Sequence, residues 1–120
     1  MWSVSKEFHF DAAHSLPHLP ESHKCSRLHG HTYKVVPHFR GDLSDSNCWV
    51  VDYADISAAM KPLLERLDHH NLNDVMTATT TAENVAAWFF MELCKTGLRP
   101  LLWRVDVHET TGTCCTYAPR

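Results

Sequence analysis

Apolar and polar positions alternate at the start of the chain. Val4, Phe8 and Phe10, with His9 and Asp11 between the later ones, read as an extended segment over residues 2–13. A proline-rich loop through Pro17, Pro20 and Lys24 follows, and a second strand runs from His31 to Arg40, ending at Gly41-Asp42. Pro37 lies inside that strand without an N–H to give a ladder, which predicts an edge position or a bulge. Trp49-Val50-Val51 reads as a short extended piece.

The period then changes. Asp52 stands as an N-cap with Asp55 in the capping-box position, and Ile56, Ala59, Met60, Leu63, Leu64 and Leu67 follow at helical spacing. Pro62 falls inside this helix, where it removes a hydrogen bond or kinks the axis. Asp68 to Thr80 reads as a polar loop. Thr80 with Glu83 forms a second capping box, opening a helix to about Lys95 that buries Val85, Ala86, Phe89 and Leu93 before Gly97 stops it. Two short strands, about 101–109 and 114–118, close the chain around a turn at 110–113. The order β-β-α-α-β-β predicts an α+β fold, an antiparallel sheet with both helices on one face.

At 120 residues, 44% hydrophobic and without a repeat or linker, the chain is expected to be one domain spanning 1–120. Net charge is -3 and no two Lys or Arg residues adjoin, which argues against nucleic acid as a partner. No apolar run is long enough for a bilayer and no signal peptide is evident, so the expected setting is the cytoplasm, away from membranes. The five cysteines form no C-x-x-C pair and are expected to be reduced thiols, with Cys114-Cys115 a strand pair rather than a redox couple.

Nine of the ten histidines lie between His9 and His70. In a strand, His29 and His31 point to the same face and can grip one ion, and His14 on a neighbouring antiparallel strand can complete a three-histidine set. Three imidazoles leave an open tetrahedral position, as in catalytic zinc sites, although each histidine taken alone is more often a packed or solvated ring. His18, His23 and His38, beside Pro, Ser and Pro, read as solvated loop or strand-edge residues. Cys25 precedes the pair by four residues, flanked by Lys24 and Arg27, which either favour its thiolate or meet an anionic substrate.

Two further stretches carry chemistry. In Leu67-Asp68-His69-His70 the carboxylate can orient a ring for proton transfer, or Asp68 simply turns the chain and His69 packs. Glu109, in Val107-His108-Glu109-Thr110, can accept two hydrogen bonds from a guanidine-like ring edge or stand as an exposed strand-end charge; the residues alone favour the exposed charge.

Phe10-Asp11-Ala12-Ala13-His14, Cys25-x3-His29-Gly30-His31, Leu67-Asp68-His69-His70-x-Leu72-Asn73, Thr81-x-Glu83-Asn84 and His108-Glu109-Thr110 occur in one order along essentially the whole chain. Together they resemble the 6-pyruvoyltetrahydropterin synthase family. The three residues between Cys25 and His29 are most similar to its bacterial 6-carboxytetrahydropterin synthase branch. The resemblance implies a tunnelling fold: a four-stranded antiparallel sheet with two helices on one face. It also implies trimers stacked into a homohexamer, with sites between subunits.

On this resemblance, His14, His29 and His31 bind zinc, Cys25 is the base at the substrate's side chain, and Asp68 with His69 is the relay supplied by a neighbouring subunit. Glu109 anchors the pterin through its 2-amino and N3 groups, assisted by Thr81 or its backbone. The implied reaction converts 7,8-dihydroneopterin triphosphate to 6-carboxy-5,6,7,8-tetrahydropterin, with loss of acetaldehyde and triphosphate, on the way to queuosine. Sister reactions, forming the pyruvoyl pterin or cleaving the side chain, are the alternatives, as is a non-catalytic metal-binding or pterin-binding module; the last has no need of Cys25, Asp68 and His69. Departures from the pattern are Thr79 and Thr80, where relatives often carry Asn-Pro or Pro, and Ser26, where Gly is common.

Overall fold

One long strand organises the computed structural model, which describes residues 1–119. That strand, β3 (His29–Gly41), is flanked on one side by β1 (Trp2–Ser5) and β2 (Phe8–His14), and on the other by β5 (Leu102–His108). β6 (Cys115–Tyr117) adds to β5, and the two-residue β4 (His70–Asn71) joins the outer side of β2. Among the described residues three α-helices complete the fold: α1 (Tyr53–Leu67), α2 (Leu72–Val75) and α3 (Ala82–Leu93). No helix among the described residues is long and apolar enough to cross a membrane.

The α+β class stands, but six strands and three helices replace the expected four and two. β1 and β2 hold one continuous register against β3, with Ser5 opposite His38 and Phe8 opposite Val35. The break between them sets Lys6 opposite Pro37, which has no N–H for the ladder. Pro37 is therefore in the central strand rather than at an edge, and the β3–β5 register shifts one residue later, between His38 and Phe39. The sheet is also not wholly antiparallel, because β4 pairs with β2 in parallel.

Other boundaries move for local reasons. The expected 68–80 loop contains β4 and α2, the latter capped by the Asn71 side chain accepting from Asn73 N–H. Trp49–Val51 forms bends instead of a strand. α1 continues through Pro62, with Asp52 accepting the Ala54 N–H at 2.9 Å as its cap. Thr81, not Thr80, caps α3, accepting the Asn84 N–H at 3.3 Å; the Thr80 side chain is committed elsewhere, and the helix ends at Leu93.

One sheet face carries Phe10, Ala12, Tyr33, Val35, Phe39, Val105 and Val107 into a core with Ile56, Met60, Leu63 and Leu67 of α1 and Val85, Ala86, Phe89 and Leu93 of α3. Phe10 stacks on Tyr33 at 4.8 Å and meets Phe89 at 5.7 Å. The period-two alternation that buries these residues carries His14, His29 and His31 onto the same face, beyond the apolar region.

The opposite face carries a polar cluster. His38 Nε2 lies 2.8 Å from Asp106 Oδ2, Arg104 donates to the same oxygen at 3.1 Å, and Thr116 donates to Oδ1 at 2.6 Å. His38 is thus half-buried and paired, not solvated as its proline neighbour suggested; His18 and His23 are exposed.

Candidate active site

The β2–β3 register sets His14 directly opposite His29 and Ala12 opposite His31. Ring centroids of the three histidines lie 4.6 to 5.1 Å apart, and one nitrogen from each falls within 4.8 Å of the others. His14 Nδ1 donates to the Thr80 carbonyl at 2.7 Å, and His29 Nδ1 donates to the Arg27 carbonyl at 2.7 Å. A carbonyl only accepts, so both rings carry hydrogen on Nδ1, which leaves Nε2 as the nitrogen available to a metal ion.

The Nε2 atoms of His14 and His31 are buried without a hydrogen-bond partner. Burial pushes the pKa of both imidazoles down, outweighing the upward pull of the Thr80 carbonyl and Glu109 on His14 and of Glu109 on His31. The unpartnered Nε2 atoms of His14 and His31, grouped with His29, fit a divalent metal ion, and three imidazole ligands leave its fourth position free.

Glu109 leaves the end of β5 one residue beyond the pair Lys34–His108. Its carboxylate lies 3.5 Å from His31 Nε2 and 3.9 Å from His14 Nε2. Cys25 lies in a short helical turn, Lys24–Ser26, held by three bonds. Cys25 N–H donates to His23 Nδ1 at 3.1 Å, Ser26 Oγ donates to the His23 carbonyl at 2.8 Å, and Leu16 N–H donates to the Cys25 carbonyl at 2.8 Å. These ties set the half-buried thiol in a cleft of about 470 Å³ with Lys24, Arg27, His29, His31 and Glu109.

Asp68 and His69 are at the sheet edge. Asp68 ends α1, its Oδ1 accepting the Asp11 N–H at 2.9 Å and its Oδ2 lying 3.0 Å from His69 Nδ1. The Asp11 N–H chiefly, with His69, holds the Asp68 carboxyl below its ordinary pKa. His69 adopts φ 60, in the left-handed region, and its N–H donates to the Asp11 carbonyl at 2.6 Å. Its ring is largely exposed and lines a second, open cleft with Asp11, Thr32 and His70; His31 borders both clefts. The structure thus sets His29, His31, Cys25 and Glu109 around one cleft, with His14 buried beside the two histidines, and the Asp68-paired His69 at another.

Thr81 spends its hydroxyl on the α3 cap. Thr80, expected only as a helix cap, supports the metal-facing ring instead: fully buried, it offers His14 a carbonyl and a hydroxyl, the latter at 3.1 Å, and donates that hydroxyl to the Ser15 carbonyl. The Asn73 amide also holds Ser15, its Oδ1 accepting the Ser15 N–H at 2.9 Å and its Nδ2 donating to the Ser15 carbonyl at 3.0 Å. The one available signal is the run of three threonines, Thr79 to Thr81, before the helix, only one of which is needed as its cap.

The family model described as 6-pyruvoyl tetrahydropterin synthase matches residues 3–120. A 6-carboxy-5,6,7,8-tetrahydropterin synthase from Synechocystis is 39% identical, over 100% of this chain and 92% of its own length. The human 6-pyruvoyl tetrahydrobiopterin synthase is 32% identical over 95% of this chain and 89% of its own. Among solved structures, the Caenorhabditis elegans 6-pyruvoyl tetrahydropterin synthase superposes with a TM-score of 0.91 at 27% identity, covering 99% of this chain and 96% of that one.

Proposed function

Because the chain belongs to the 6-pyruvoyl tetrahydropterin synthase family, we propose that it is a 6-carboxy-5,6,7,8-tetrahydropterin synthase, a zinc-dependent lyase of queuosine biosynthesis. It converts 7,8-dihydroneopterin triphosphate and one water to 6-carboxytetrahydropterin, acetaldehyde and triphosphate. One observation carries this reading: unsatisfied imidazole nitrogens of His14 and His31 converge with His29 at a cleft that also holds Cys25 and Glu109. The carboxypterin product, rather than the pyruvoyl one, is favoured by the three-residue spacing from Cys25 to His29 and by the Synechocystis relative.

In this reading His14, His29 and His31 hold zinc, which supplies polarisation of the side-chain oxygens and acidifies the neighbouring C–H. Cys25, as thiolate, accepts the proton released there. His69, steadied by Asp68, holds or returns a proton on another face of the substrate. Glu109 accepts the 2-amino and N3 hydrogens of the pterin, with the backbone around Thr81 alongside. The exposed dyad at a sheet edge suits a homohexamer in which one subunit's Asp68 and His69 complete another's cleft.

The test is direct. Zinc-loaded protein incubated with 7,8-dihydroneopterin triphosphate is expected to yield 6-carboxytetrahydropterin, acetaldehyde and triphosphate by mass spectrometry. A pyruvoyl pterin would transfer the chain to the sister activity, and no turnover would overturn the enzyme reading.

A further inference from the structure

Residues along β3 and its approach form a chemical sequence. Glu109 stands level with Tyr33, one step beyond the Lys34–His108 pair; His31 and His29 follow on the same face; Arg27 comes next, itself extended at φ -88, ψ 152. From Glu109's level to Arg27 is roughly 20 Å of extended chain. The order is carboxylate, imidazoles, cations. A pterin triphosphate presents the matching order: a guanidine-like ring edge, an oxygenated side chain, then an oligophosphate.

We propose that Lys24 and Arg27 form the oligophosphate end of the cleft and grip the substrate's triphosphate. Both line the cleft with Cys25, His29 and Glu109, and among the described residues neither is paired with a carboxylate. Two unpaired cations within four positions repel each other, and an anion bound between them relieves that repulsion. Arginine supplies parallel N–H donors to phosphate oxygens, and lysine a point charge.

Their placement is fixed by the backbone. Arg27 N–H donates to the Lys24 carbonyl at 3.3 Å, and the Arg27 carbonyl holds the His29 ring. One residue therefore orients a metal ligand with its main chain and the anion with its side chain. The identity of the anion rests on the proposed reaction; the site itself can be read with inorganic triphosphate alone.

The experiment compares zinc-loaded wild type, Lys24→Gln, Arg27→Gln and Arg27→Lys, with zinc content and circular dichroism as checks on folding. Arg27→Gln is expected to weaken inorganic triphosphate binding, measured by calorimetry, about tenfold or more, with Lys24→Gln smaller and Arg27→Lys intermediate. KM for dihydroneopterin triphosphate should rise in parallel, while affinity for unphosphorylated dihydroneopterin stays unchanged. Weaker inorganic triphosphate binding with an unmoved KM would overturn the assignment to the substrate's chain. Unchanged triphosphate affinity with a shifted pH profile of Cys25 alkylation would overturn it in favour of a thiolate role. If wild type converts no pterin, the proposed reaction fails, while the triphosphate affinities still decide whether this anion site exists.

Discussion

His14 on β2 donates its Nδ1 hydrogen to the carbonyl of Thr80, 2.7 Å away, just before α3 begins. A sheet residue and a helix entry thereby share the task of aiming one imidazole. Groups that orient a metal-binding histidine typically change metal affinity 10- to 100-fold when lost. Thr80→Val keeps the carbonyl but removes the hydroxyl at 3.1 Å, and it leaves the Ser15 carbonyl with the Asn73 amide as its side-chain donor. Zinc affinity, measured by chelator competition, is expected to fall about tenfold, at the low end of that range. An unchanged affinity would show that the carbonyl alone suffices.

Cys25 shares the cleft of the triad but is not among the grouped ligands. Cys25→Ala should therefore retain one zinc per chain while turnover drops by about a hundredfold or more, the usual worth of a positioned base. Metal analysis beside a product assay separates the two effects. Loss of zinc together with activity would make the thiol a ligand instead.

Glu109→Gln preserves the size of the side chain but removes its charge and one acceptor oxygen. Zinc content should hold. Dihydroneopterin affinity, followed by fluorescence titration, should weaken by about tenfold or more, the value of a charge-assisted pair. Equal affinity in wild type and variant would remove Glu109 as the ring anchor.

The His38–Asp106 pair sets an acid limit on stability. Burial holds the His38 imidazole below its ordinary 6.5 despite the pull of Asp106. The unfolded chain then takes up the proton first, so stability falls as pH drops below about 6.5, until the folded ring also protonates. Burial pushes the Asp106 carboxyl up, but Thr116, His38 and Arg104 outweigh it and leave it below 3.8. Its contribution is present above that value and is lost as pH falls through the lower folded pKa. His14 and His31 act in the same upper window, so the informative quantity is a difference. Urea unfolding from pH 7 to 5 should show a shallower loss in His38→Gln than in wild type; coincident slopes would contradict the assignment. At pH 7, Asp106→Asn should cost about 2–3 kcal/mol, the scale of hydrogen bonds to a charged group.

Much of the site is legible in period-two patterning. Ala12–His14 and His29–His31 each put their residues on one face, and a hairpin-like pairing is all that is needed to oppose His14 to His29. Pro37 leaves two readings, an edge or a bulge, and only the neighbouring strands select the second, with the register shift beside it. His38 is not legible in the same way: its partner Asp106 is 68 positions away, and no local pattern encodes that pairing. Thr80 and Thr81 are both capable caps, and the burial of one against His14 settles their roles. The 68–80 segment lacks periodicity because its order comes from β2 and Ser15, through the Asp11, Asn73 and Thr80 bonds.

One chain carries two separate clusters: a histidine cleft with Cys25 and Glu109, and an exposed Asp68–His69 dyad at the edge of its sheet. If these complete each other between subunits, two inactive variants should rescue one another. Cys25→Ala and His69→Ala would be unfolded together, mixed, refolded with zinc and assayed for conversion of dihydroneopterin triphosphate. For random mixing, activity should return to a substantial fraction of wild type, because some interfaces then pair an intact cleft with an intact dyad. Activity no higher than that of either variant alone would contradict the composite site.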